Sequence, residues 1–313
     1  MKKENTRREF IKRSAQIAGA GLLSTGLLGC NVLLDDTAGG GLTIRIGHTT
    51  LYWTNSTALT LNKSTINGAG SQTILDRTAA LGTGPSVNGI AVCPSIGKIY
   101  WTETDNGAYI TFLKRSNLDG SGIETLYTGS ISSPFFTGIA VDVPGGKVYW
   151  AESTSLGILV ANLDGTSSSV LPTGVGTVND VALDAKAGKM YFTDGNGGAI
   201  MQANLDGTGS VALPLATNTP IAIALDLDGG KVYWTSNGSS NQVSRANLDG
   251  SGTVDVLESS GSITFLGIAL DSQAGKVYWV EGGTTIRRAN MDSTGTGKET
   301  LLSGSGFNRL DLG

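Results

Sequence analysis

Apolar residues in this chain come in short runs that recur, each followed by polar, glycine-containing stretches. Ile90-Ala91-Val92, Ile139-Ala140-Val141, Val181-Ala182-Leu183 and Ile268-Ala269-Leu270 follow Gly89, Gly138, Asp180 and Gly267. After each run a short turn ends in Gly-Lys, at Gly97-Lys98, Gly146-Lys147, Gly188-Lys189 and Gly275-Lys276, with a further copy at Gly230-Lys231. Glycine reaches the positive φ that a tight hairpin demands. The turn leads into a tyrosine and a second aromatic: Tyr52-Trp53, Tyr100-Trp101, Tyr149-Trp150, Tyr191-Phe192, Tyr233-Trp234 and Tyr278-Trp279, at tyrosine intervals of 48, 49, 42, 42 and 45 residues. Farther on stands Asn-Leu-Asp-Gly, at Asn117–Gly120, Asn162–Gly165, Asn204–Gly207 and Asn247–Gly250. It is shortened to Asn290-Met291-Asp292 in the sixth copy and to Asn67-Gly68 in the first. A last apolar pair such as Thr125-Leu126 or Val256-Leu257 closes each unit. A period of this length with four short apolar segments per copy predicts six repeats of a four-stranded unit.

Units of this kind stack around an axis as an all-β, six-bladed β-propeller of four-stranded antiparallel blades, here over residues 42–313. Alternation along a strand sends the tyrosine and its aromatic neighbour to opposite faces, each toward an adjoining blade. Burial of one such ring contributes about 2–3 kcal/mol, so packing accounts for the repetition. Asp119, Asp164, Asp206 and Asp249 suit hydrogen bonds within their own turns. Either residues 42–46 or Phe307–Leu312 supplies the strand that completes the first blade, and the C-terminal segment is favoured, with 42–46 pairing nearby.

The Tyr-Trp, Gly-Ile-Ala and Leu-Asp-Gly segments in common register resemble the YWTD propellers, the class B repeats of the low-density lipoprotein receptor family. The resemblance spans residues 41–313. In that family an aspartate closes the motif and makes contacts that hold the blade. Here the position is filled by Asn55, Glu103, Glu152, Asp194, Asn237 or Ser236, and Glu281, and only Thr193-Asp194 keeps the Thr-Asp pair.

Composition agrees with strands and turns. The chain holds 46 glycines and only 15% charged residues, a balance that favours many tight connections over helices. The N-terminus reads as an address. Arg7, Arg8, Phe10 and Lys12 lie in a segment that resembles the twin-arginine export motif, followed by an apolar run from Ala15 to Leu28. That run is shorter than the roughly 20 residues of a membrane span. It ends in Leu27-Leu28-Gly29-Cys30, which looks like a lipobox. Residues 1–29 are therefore expected to be removed, Cys30 to carry the lipid, and 30–41 to form a flexible tether. Of 22 basic and 26 acidic residues, six and two lie in that leader, leaving 16 against 24, a charge of −8. Such a body excludes a nucleic-acid partner, which needs clustered Lys and Arg. Its membrane contact is through the lipid alone. The chain has two cysteines. With Cys30 lipidated, Cys93 is a small buried residue; a Cys30–Cys93 disulfide is the alternative.

Catalytic material is sparse. The single histidine, His48, falls in a turn and is expected to be exposed; a His-rich metal site is excluded and a Ser-His-Asp triad would have to use that turn. No organic cofactor is expected. Glu103, Glu152, Asp194 and Glu281 all follow a Tyr-aromatic strand, which gathers them on one face of the disc, where oxygen ligands suit Ca2+ or another divalent cation. The gluconolactonase-type six-bladed propellers hold such a cation with Glu, Asp and Asn side chains. That likeness implies an alternative function as a metal-dependent hydrolase or lactonase. The favoured expectation is a binding module for an envelope or extracellular protein, peptide or glycan. In a repeat protein the informative residues are those that break the repeat. Tyr109 in Asp105–Tyr109, and Phe135 and Phe136 in the Pro134–Phe136 stretch, are then candidate anchors alongside the four carboxylates.

Overall fold

A strand of alternating faces must find partners for both its edges and its apolar side. The four segments of each repeat do this by pairing with one another in chain order. The computed structural model describes residues 48–79, 86–105, 108, 110–130, 136–153, 155–215 and 217–313, with backbone alone for Ser130, Phe136 and the strands Val32–Asp36 and Leu42–Ile46. Six antiparallel four-stranded sheets result. From the inner to the outer strand, blade two runs Ser86–Cys93, Lys98–Asp105, Ile110–Asn117, Glu124–Ser130. Blade three runs Phe136–Asp142, Lys147–Glu152, Gly157–Asn162, Ser169–Val170, and blade four Val178–Asp184, Lys189–Asp194, Ala199–Asn204, Val211–Ala212. Blade five runs Thr219–Asp226, Lys231–Asn237, Asn241–Asn247, Asp255–Ser260, and blade six Phe265–Asp271, Lys276–Glu281, Thr285–Asn290, Glu299–Ser303. Blade one takes its inner strand, Phe307–Leu312, from the far end of the sequence and continues with Thr50–Asn55, Thr60–Thr65 and Gln72–Asp76. The chain is a six-bladed β-propeller, with the C-terminal segment closing the ring as expected. Residues 42–46 stay outside the blades and pair with Val32–Asp36, so a strand occupies part of the segment read as a flexible tether.

Each space between blades is filled by one tyrosine and the aromatic of the next blade. Tyr52 packs in a layer with Trp101, Tyr100 with Trp150, Tyr149 with Phe192, Tyr191 with Trp234, Tyr233 with Trp279, and Tyr278 with Trp53, which returns to the start. Alternation along the second strand produces this pattern directly.

The two turn motifs are bonded to one another. The Lys98 ammonium donates to the Asn117 side-chain oxygen at 2.8 Å, and Lys147–Asn162, Lys189–Asn204, Lys231–Asn247 and Lys276–Asn290 repeat the bond. Asp119 accepts from the backbone N–H and hydroxyl of Ser121, and Asp164 and Asp206 from those of Thr166 and Thr208, as the turn reading predicts. Glycine follows because the turn docks on the preceding blade: Gly120 has φ +84°, and a Cβ there would lie 2.1 Å from the Ile74 carbonyl.

Candidate functional site

The inner strands carry an irregularity in all six blades, between Phe307 and Leu310, Val87 and Ile90, Phe136 and Ile139, Val178 and Val181, Pro220 and Ala222, and Phe265 and Ile268. A bulge leaves backbone groups without ladder partners. The threonine after the Tyr-aromatic pair supplies one: Gly89 donates its N–H to Thr102 at 2.8 Å, Asp180 to Thr193 at 2.9 Å, Ala222 to Thr235 at 3.1 Å and Arg309 to Thr54 at 3.1 Å. The Thr54 hydroxyl donates in turn to the Asn88 carbonyl of the next blade, and Thr235 to that of Leu266. These bulges line the axis of the ring and aim backbone carbonyls at it.

A shaft of about 890 Å3 runs along that axis. Its walls are mostly aliphatic, with Ile90, Ile139, Val181, Ile223 and Leu310 among them, and it opens between the turns that hold Gly145, Lys186 and Leu227. Three charged residues along it interrupt the repeat. Register makes Gly89, Gly138, Asp180, Ala222, Gly267 and Arg309 equivalent, and sets Asp311 where Ala91, Ala140, Ala182, Ala224 and Ala269 stand in the other blades. Arg309 reaches from blade one to the opposite side of the ring, where its Nη2 donates to the Asn179 carbonyl at 3.2 Å and the Ile221 carbonyl at 3.3 Å. Its Nη1 lies 3.9 Å from Asp180 Oδ2 and makes no hydrogen bond among the described residues. Asp180 accepts from the N–H groups of Val181 and Ile223. A Cβ at Gly138 would fall 1.7 Å from its Oδ1, so glycine there makes room for it.

Burial dominates the electrostatics of these three residues. It raises the Asp180 carboxyl above its ordinary value, against the opposing pull of Arg309 and two backbone N–H groups. It pushes Asp311 up to about 7, opposed by the N–H groups of Val92 and Leu312 and reinforced by the charge on Asp180. The Arg309 guanidinium is lowered by the same desolvation, with Asp180 raising it in part.

The carboxylates read as candidate metal ligands do not gather. Glu103 is fully buried, bound by Arg77 Nε and Nη2 at 3.1 Å, by Trp101 Nε1 at 2.9 Å and by Lys114 at 3.4 Å. Glu152 accepts from the N–H groups of Ser155 and Leu156, and Asp194 from those of Asn196 and Gly197, each capping the loop that follows its strand. Asn55 does the same for Thr57 and Ala58. Glu281 pairs with Arg287 at 3.0 Å and borders a shallow hollow of about 530 Å3 with Ile263 and Thr284. Each is tied within its own blade or, for Glu103, also to Arg77 at the edge of the preceding one. No group of three or more His, Cys, Asp and Glu placed to hold a metal ion exists among the described residues.

Other expectations also change. Phe136 is not in a loop: it opens the inner strand of blade three, opposite Glu152. The equivalent residues Phe265 and Phe307, opposite Glu281 and Asn55, are 0% and 7% exposed. Phe135 and Tyr109 lie outside the described residues, as do Arg7, Arg8, Phe10, Lys12 and Cys30. His48 is partly buried instead of exposed, and burial lowers its pKa, opposed by Asp271 of blade six. Cys93 is fully buried as expected, yet disulfide-bonded instead of alone. The axial charges were the residues that sequence reasoning passed over. Their signal was present: an aspartate and an arginine stand where other copies keep glycine or alanine.

Solved structures share this architecture. A chain of a nidogen/laminin complex matches with a TM-score of 0.68 at 18% identity, over 84% of this chain and 97% of its own. The fold is common to both. TolB from Acinetobacter baumannii matches with a TM-score of 0.64 at 14% identity, over 85% of this chain and 66% of its own. A functionally unknown protein from Desulfotomaculum acetoxidans DSM 771 gives 0.57 at 14% identity, over 85% and 89%. No family profile and no curated protein sequence matches the chain.

Proposed function

We propose that this chain is an exported, lipid-anchored propeller of the cell envelope that binds a protein, peptide or glycan through the face where its outer strands return to the next inner strand. One observation carries the choice of face. The turns from inner to second strand have four residues in each of blades two to six (94–97, 143–146, 185–188, 227–230 and 272–275), whereas the returns on the opposite face range from three (304–306) to nine (77–85). Uniform turns serve the ring, and variable connections on a rigid scaffold are where recognition concentrates. The nidogen/laminin complex, a propeller seen with a protein partner, supports a binding role by analogy of fold alone.

Photo-cross-linkers placed at Ala108 and Ile263 on the variable face, and at Asp164 and Leu227 on the other, test this reading. Saturable cross-links to one envelope component from the first pair alone are expected. Cross-links from the second pair alone would overturn it.

Export and anchoring rest on Arg7, Arg8 and Cys30. Arg7→Lys with Arg8→Lys should leave unprocessed protein in the cytoplasm. A sulfur that bears a lipid thioether cannot also join a disulfide, so the lipid on Cys30 competes with the bond at Cys93. The intact mass of cell-derived protein, before and after reduction, separates the two: diacylglycerol on Cys30 supports the anchor, and hydrogen gained at both cysteines removes it.

A further inference from the structure

The chain enters the propeller on the face of uniform turns. Thr50 begins the second strand of blade one, and the closing strand ends beside it. The N–H groups of Thr49 and Thr50 donate to the Gly313 carbonyl at 3.0 and 2.9 Å, and the Gly313 N–H donates to the Thr50 carbonyl at 2.9 Å. Register sets Thr50 and Gly313 where blade two has Lys98 and Cys93, on either side of the turn 94–97. His48 therefore lies at that face, and the segment before it starts from there.

What precedes His48 is shortened by its own pairing. Extended, the stretch from Cys30 to His48 would span about 60 Å, enough to pass any side of the disc. The antiparallel ladder instead sets Val32 opposite Ile46 and Asp36 opposite Leu42. Only the steps from Cys30 to Val32 and from Ile46 to His48 remain, with one strand spacing between them, so Cys30 stays within about 20 Å of His48. The route to the variable face is longer. It passes two strand spacings outward, about 10 Å, and then one strand of six residues, about 20 Å. The bond at Cys93 points the same way. Cys93 ends an inner strand at the uniform-turn face, and within a chain of two cysteines its disulfide can reach only Cys30. Lipid or disulfide, residue 30 is kept near the uniform turns.

We propose that the pairing of Val32–Asp36 with Leu42–Ile46 orients the propeller on its lipid surface, with the uniform turns toward the bilayer and the variable face toward the partner. This inference rests on the lipid at Cys30 proposed above. Headgroup attraction takes no part in it. The face turned to the bilayer carries the exposed Asp119, Asp164, Asp206 and Asp249, which anionic lipid repels, so the short tether alone sets the orientation.

Cell-derived protein in phosphatidylcholine vesicles tests the orientation, with a fluorescent amino acid at Leu227 or Asp164 on one face, or at Ile263 or Ala108 on the other, and an acceptor on the headgroups. Energy transfer should place the first pair nearer the lipid by about 20 Å, one strand length. Ile44→Pro with Arg45→Pro removes donors from the ladder. This variant should lose most of the depth difference and keep the melting midpoint of the parent, since residues 42–46 lie outside the blades. A Gly-Ser insert of about 20 residues between Gly47 and His48 should lose it as well, with the ladder intact. Equal depth for the two faces, a nearer Ile263, or a difference that survives both changes would overturn the inference while the anchor stands. Protein that does not float with the vesicles would remove the anchor and the inference together.

Discussion

Between the blades, each layer repeats the same pairing of one tyrosine with the next blade's tryptophan or phenylalanine. Along the axis, the same inner strands diverge. A position that is glycine in three blades and alanine in a fourth becomes Asp180 in blade four and Arg309 in blade one. The layers are built on the second strands and the axis on the bulged inner strands, which a threonine of the second strand holds in blades one, two, four and five. The difference is in what each region must satisfy. A layer between two sheets rewards identical shapes, since one solution fits six times. The axis has no layer to fill, and the small residues that let inner strands approach leave room for exceptions such as the Asp180 carboxylate beside Gly138.

The largest effect should come from the layers. Trp150 is fully buried and stacks at a tilt on Tyr127, with ring centroids 5.2 Å apart. Trp150→Ala should cost about 3–5 kcal/mol, read from the shift of the urea midpoint at constant slope. An effect under about 1 kcal/mol would show that the layer collapses around the loss.

A buried charge comes next. Glu103→Ala leaves Arg77 and Lys114 facing each other without their carboxylate and should cost about 3 kcal/mol. Glu281→Ala, at a pair whose side chains are 14% and 25% exposed, should cost about 1 kcal/mol or less. Equal losses at the two positions would mean that burial is not what separates them.

The axis should reveal itself through pH. Asp311 has a folded pKa of about 7 against an ordinary 3.8, so between these values the folded state holds a proton that the unfolded chain has released. Stability from this group should therefore be greatest below about pH 4, fall as pH rises to about 7, and level off above. Asp180, raised by the same burial, contributes with the same sign. Denaturant melts of Asp311→Asn should lose most of the slope across that window, and an unaltered profile would relocate the titrating group. Smallest should be the coupling of Arg309 to Asp180. At 3.9 Å the pair is loose, so the double-mutant cycle of Arg309→Met with Asp180→Asn should give about 1 kcal/mol.

Most of the propeller was readable from the sequence, because its cause is local and repeated. Tyrosine spacing marks the blades, Gly-Lys and Asp-Gly mark the turns, and Phe307–Leu312 matches an inner strand closely enough to be assigned as the closing one. What escaped depends on contacts between residues far apart in the chain. The Arg309 acceptors lie 130 and 88 residues away. Glu103 resembles a free acid in sequence, and its counter-ion Arg77 comes from the edge of the preceding blade. Phe136-Thr137-Gly138-Ile139 repeats the order of Phe265-Leu266-Gly267-Ile268, in which the phenylalanine opens the inner strand. Aligned that way, it belongs to the strand.

Placing the inner strand of blade one at residues 307–312 also imposes an order in time. Blades two to six contain all their strands in sequence and can pair as the chain emerges, but Thr50–Asn55 waits for Phe307–Leu312 with an open edge. The bond between the Arg309 N–H and Thr54 joins positions 255 residues apart, and contacts of such separation form late and slowly. Until then the nascent chain exposes Trp53 and the outward face of blade six, the surfaces that bury each other at closure. Ring formation is thus a checkpoint on synthesis: a ribosome that stalls before Leu312 releases an open chain with two unsatisfied edges, available to chaperones and proteases, whereas a completed one hides both in a single step.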